Sequence, residues 1–267
     1  MNILKILENI EKFDADVYDR LNSRRNAFAS AGKFGVKVAL ASLPLALGSM
    51  FKKAYGQSST SILDVLNFAL TLEYLEDEFY KAGLASPTAI PADVKAVFTQ
   101  IGKHETAHVN LLKGAITGAG GTPVNKPTFD FTAGGAFADV LTNPMTFMAV
   151  AQAFEDTGVR AYKGQAGNLI SNNTVLTTAL QIHSVEARHA AEVRRLRGQK
   201  GWITGNDRGN MPAATQAVYN GEENVKQGAV NDVKTITSAP VSAITEGFDE
   251  PLSKDEVLAI AGLFIVG

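Results

Sequence analysis

The sequence predicts an all-α protein, a four-helix bundle of two helical hairpins joined by a long crossover, with helical extensions at both ends. Three observations predict it. Apolar residues recur at helical spacing almost without a break over residues 61–200. Two short joints, 86–91 and 167–172, interrupt that pattern, and short joints make antiparallel helix pairs. Between the pairs lies a Gly- and Pro-containing segment, 118–143, long enough to cross from one end of a bundle to the other. The expected helices are 61–82, 92–117, 144–166 and 173–197, within a domain spanning 61–200. No segment carries a convincing set of alternating strands.

The flanking segments read differently. Residues 1–60 form an N-terminal extension in which Ile3, Ile6, Leu7, Ile10 and Phe13 fall at the spacing of an amphipathic helix. Ser23-Arg24-Arg25, a moderately apolar stretch after Lys37 and the small residues Ala54-Tyr55-Gly56 resemble a twin-arginine export signal. The competing reading makes residues 34–50 a buried helix of the folded protein, so an exported and a cytoplasmic chain are both open. Residues 201–267 are turn-rich until Ser253-Lys254-Asp255-Glu256, a capping box for a short terminal helix over 257–265.

Composition narrows the chemistry. At 267 residues, 45% hydrophobic and 19% charged, the chain can bury a substantial core. A net charge of −2 offers no electrostatic basis for a nucleic-acid partner. There is no cysteine, which excludes disulfides, thiolate metal sites and cysteine nucleophiles, so a transition metal would sit on His, Asp and Glu. Only four histidines are present, which makes their positions informative.

The two hairpins read as copies of each other. Val94, Phe98, Ile101, Glu105, His108 and Leu112 form one stripe of the second helix, and Val175, Ala179, Ile182, Glu186, His189 and Val193 repeat those spacings on the fourth. Leu66, Ala69, Glu73, Tyr80 and Lys81 of the first helix match Met148, Ala151, Glu155, Tyr162 and Lys163 of the third. The stripe facing the core is thus apolar except where it carries carboxylates and imidazoles. Such groups, buried and unpaired, would cost several kcal/mol each, so protons, one another or metal must neutralise them. A Glu and a His three residues apart share one helix face and can reach the same ion. Two divalent cations would satisfy Glu73, Glu105, His108, Glu155, Glu186 and His189 together.

Other residues compete or assist. Glu76 lies one turn beyond Glu73 and also faces inward, but Gly158 stands at the equivalent place in the repeat. Tyr80 and Tyr162, two turns beyond the glutamates, are candidates to hydrogen-bond the ligands. His104 and His183 fall on the flanks of the stripe and read as non-ligands. A rival reading takes His104-Glu105-Thr106-Ala107-His108 as a zinc metallopeptidase motif, with His104 and His108 as ligands and Glu105 as general base. It leaves the Glu186–His189 copy without a purpose and finds no third ligand. A structural or stress protein with a relict metal site is the third reading.

The stretch from Leu66 to Glu76 with Phe79-Tyr80, then His104-Glu105-Thr106-Ala107-His108, Glu155, and Glu186-Ala187-Arg188-His189 resembles bacterial ferritin-like domain proteins related to plant desiccation-related proteins. It is more distantly similar to bacterioferritins and manganese catalases, and Phe248-Asp249-Glu250-Pro251-Leu252 also looks familial. The resemblance implies a di-metal carboxylate bundle holding two iron or manganese ions, with one Glu from each of two helices and Glu-x-x-His from each of the others. By analogy, Glu73 and Glu155 are terminal ligands and Glu105 and Glu186 bridging ones. The implied partner is dioxygen or peroxide, in a ferroxidase-like or peroxide-disproportionating reaction, with a homo-oligomer as the candidate assembly.

Overall fold

A computed structural model describes residues 60–266. The amphipathic N-terminal segment, the paired arginines and the apolar stretch after Lys37 lie outside the described residues.

Four long helices form the bundle: α1 (Thr60–Ala85), α2 (Lys95–Gly118), α3 (Pro144–Ala166) and α4 (Asn173–Leu196). α1 packs along α2 and α3 along α4, with α1 and α3 touching across the middle, as short joints and a long crossover require. The starts of the second pair are encoded locally. The Asn143 side chain accepts a hydrogen bond from Met145 N just before Pro144, and Asn172 accepts one from Val175 N. α1 runs past the expected end at Ala82 and stops before Ser86, the residue preceding Pro87. Ser86 Oγ then accepts from Thr88 N and Ala89 N, turning the chain toward α2.

Two corrections concern the ends. The terminal helix α6 is Lys254–Ala261, shorter than the expected 257–265 at its C-terminal side, although the Ser253–Glu256 capping box is present; a one-turn helix α5, Val241–Thr245, precedes it. After a turn over residues 262–264, Ile265–Val266 (β2) pairs antiparallel with Thr128–Phe129 (β1) of the crossover. A two-residue strand leaves no period to read, and its partner lies far away in sequence.

Two apolar clusters fill the bundle, one toward each end. The first centres on Phe79, which stacks on Phe147 at 4.6 Å and meets Phe131 and Phe154 edge-on. Phe264 meets Phe154 edge-on and stacks on Phe137, so crossover and C-terminus both seal this end. The second cluster contains Ile62, Leu66, Leu70, Leu112, Ile116, Val175 and Ile182. Between the two lies a layer of carboxylates and imidazoles.

The C-terminal extension straps α3. Arg160, 1% exposed, donates to the carbonyls of Val218, Asn220 and Glu250 and pairs with Glu222 at 2.8 Å. Leu252 N donates to Arg160 O, and Lys163 Nζ donates to Asp249 O. The strap crosses so closely at Gly164 that a Cβ there would lie 1.9 Å from the Leu252 carbonyl oxygen. A second tie is the buried pair of Arg194 and Asp156, whose carboxylate also accepts from Tyr219 OH at 2.6 Å.

Candidate metal centre

Each helix brings its carboxylate to the middle layer, since Glu73, Glu105, Glu155 and Glu186 all sit on core-facing stripes and are fully buried. The stripes converge so that six side chains fall into two overlapping groups: Glu73, Glu105, His108 and Glu186, and then Glu105, Glu155, Glu186 and His189. Within each group the ligating atoms lie within 4.8 Å of one another. Glu105 and Glu186 belong to both groups, Glu73 and Glu155 to one each.

The contacts explain why this is not an ordinary polar network. His108 Nδ1 lies 3.1 Å from each of Glu73 Oε2, Glu105 Oε2 and Glu186 Oε1. His189 Nδ1 lies 3.0 Å from Glu105 Oε1, 3.2 Å from Glu155 Oε2 and 3.9 Å from Glu186 Oε2. A ring nitrogen carries at most one proton, so it cannot hydrogen-bond three carboxylate oxygens at once. Glu105 Oε1 and both oxygens of Glu186 are buried and lack any hydrogen-bond partner. Buried acceptors left unpaired cost about 1–3 kcal/mol each, so the donor set fits small divalent cations better than protons. The charge also balances: four carboxylates against two divalent ions, with both imidazoles neutral.

With no cation bound, protons take over part of that role. Burial holds Glu73 up at about 7 against the pull of His108. Burial and then the Glu105 charge push Glu186 well above the ordinary carboxyl range. Burial resists ionisation of Glu105 as well, yet the His108 and His189 imidazoles set against its two oxygens bring it down to about 2. Burial opposes the charged form of His189, but Glu155, Glu105 and Glu186 raise it to about 11. Burial opposes the charged form of His108 too, but Glu105, Glu186 and Glu73 raise it well above its ordinary value.

The supporting residues cross between the halves. Tyr162 on α3 donates to Glu73 Oε1 on α1 at 2.5 Å, and Tyr80 on α1 donates to Glu155 Oε1 on α3. Each tyrosine occupies one carboxylate oxygen and leaves Oε2 facing an imidazole. Glu76 is buried but belongs to neither group. Its Oε1 fills the space beside Gly158, where a Cβ would lie 3.2 Å from it and 3.4 Å from Glu186 Oε2. Burial and then the charge of Glu186 keep Glu76 well above its ordinary value.

His183 Nδ1 bonds the Val159 carbonyl at 3.0 Å, away from the carboxylates. His104 belongs to neither group, but its Nδ1 lies 2.9 Å from His189 Nε2 and its ring lies nearly parallel to that of His189. That contact is the functional feature the sequence did not disclose, because periodicity puts His104 on a flank without saying which helix the flank meets. The peptidase reading needs His104 and His108 at one ion, and His104 is in neither group of potential ligands.

The pattern for the ferritin-like domain matches residues 61–199, just over half of the 267 residues, and the chain belongs to that family. No match is found among the curated proteins.

Proposed function

We propose that this ferritin-like chain holds two iron or manganese ions between its four helices and uses them for redox chemistry with dioxygen or peroxide. The observation that carries the reading is the pair of Nδ1 atoms, each crowded by three carboxylate oxygens in a layer sealed between apolar clusters. Family membership supports it. In this reading Glu73 and His108 serve one ion and Glu155 and His189 the other, while Glu105 and Glu186 offer an oxygen to each. When bound, such a pair supplies electrons to an oxidant at neighbouring positions.

The chain's own part is charge, direction and dryness. Four carboxylates balance the charge of two divalent ions. Tyr162 and Tyr80 aim the free oxygens of Glu73 and Glu155 inward. The Phe79 and Leu112 clusters keep bulk water from competing for the carboxylates. The test is metal analysis of protein purified without added metal, followed by Fe(II) oxidation under dioxygen and under peroxide. The expected result is two iron or manganese ions per chain and oxidation that His189→Ala abolishes. One zinc per chain, with proteolysis lost in Glu105→Gln, would contradict it.

A further inference from the structure

We infer that His104 positions His189 for metal binding and makes the His189 half of the centre the tighter of the two, an inference that rests on the metal reading above. His189 turns Nδ1 toward the carboxylates. For Nδ1 to donate its lone pair to an ion, the ring proton must sit on Nε2. A buried N–H without an acceptor is costly, and His189 is 5% exposed. His104 Nδ1, 2.9 Å away, is that acceptor, and the two rings lie 10° from parallel with centroids 5.1 Å apart. With Nδ1 accepting, His104 carries its own proton on Nε2, which lies 2.7 Å from the amide nitrogen Nε2 of Gln100 one turn earlier on α2; a half-turn of that amide puts the Gln100 oxygen there as the acceptor. With the Gln100 amide turned this way, the hydrogen bonds run outward from the centre, and one tautomer of each ring satisfies them.

The other half lacks this support. The repeat that matches Glu105 to Glu186 and His108 to His189 places Val185 where His104 stands, and a valine accepts nothing. Among the described residues no protein group is hydrogen-bonded to His108 Nε2. Two halves with the same ligand types thus differ in what holds the imidazole. An outer hydrogen-bond partner of a ligating histidine is worth about 10–100-fold in metal affinity.

The test is a Mn(II) titration of the full chain, in which the electron paramagnetic resonance signal of free Mn(II) reports each bound ion. Wild type should take up one ion more tightly than the other. His104→Leu, which removes the acceptor, should weaken the tighter step by about 10-fold or more and leave the second step in place. His104→Asn keeps a carbonyl oxygen close to the position of Nδ1 and should restore most of the loss. Metal-free melting curves of all three proteins separate this effect from unfolding, and they should nearly coincide, since His104 lies at the rim of the core. Unchanged binding in His104→Leu, equal weakening of both steps, or an Asn variant as weak as the Leu variant would overturn the inference. Wild type that binds no Mn(II), Fe(II) or other divalent ion would instead contradict the metal reading itself.

Discussion

At Glu73 the two carboxylate oxygens have different partners: Oε1 accepts from Tyr162, and Oε2 faces His108 Nδ1. Removing the hydroxyl frees the carboxylate to rotate and leaves Oε1 unpaired in a buried layer. Tyr162→Phe should therefore lower metal affinity by about 10–100-fold and stability by about 1–3 kcal/mol, read by metal titration and urea unfolding. The pH behaviour follows from the same groups. Glu73 is raised from 4.5 to about 7, so the folded chain holds a proton that the unfolded chain releases, and this contribution fades as pH rises between those values. His189, raised from 6.5 to about 11, acts in the same direction at higher pH. Glu105, lowered to about 2, acts oppositely and only in acid. Metal-free protein should thus lose melting temperature between about pH 5 and pH 8, while metal affinity rises over that range as bound protons are displaced. A metal-free melting temperature that climbs with pH would contradict this assignment of protons. The six candidate ligands were legible because their types and spacings repeat. The crosswise Tyr80–Glu155 and Tyr162–Glu73 bonds were not, since a period names the face of a helix and not the helix it meets.

The elements show where local encoding ends. α3 and the start of α4 lie where periodicity, Asn caps and Pro144 put them. The β1–β2 pair and the path of the C-terminal strap depend on contacts between distant segments that no local pattern states. Gly164 tests the strap. Inside a helix, replacing glycine by alanine ordinarily stabilises by about 0.5–1 kcal/mol. Here the new Cβ would meet the Leu252 carbonyl oxygen at 1.9 Å, and that atom is backbone. Gly164→Ala should instead destabilise by about 1–3 kcal/mol and loosen the segment around Leu252, seen as faster amide exchange at Leu252 N. A stabilised Gly164→Ala protein would mean that the strap does not cross α3 there.

Across the whole molecule, two apolar clusters hold the bundle together and the layer between them works against it. Four buried carboxylates with two imidazoles repel or take up protons unless cations join them, and the groups they form could hold a metal ion. Metal should then stabilise the chain by mass action, about 4 kcal/mol at a thousandfold excess over Kd, and His189→Ala should lose most of that gain while keeping the metal-free stability set by Ile182 and Val193. The most direct measurement is anomalous diffraction from crystals grown with Mn(II), recorded across the manganese absorption edge. Two peaks about 3.5–4 Å apart are predicted, one beside Glu73 and His108 and one beside Glu155 and His189, with Glu105 and Glu186 between them. A single peak bound by His104 and His108, or none inside the bundle, would contradict the account.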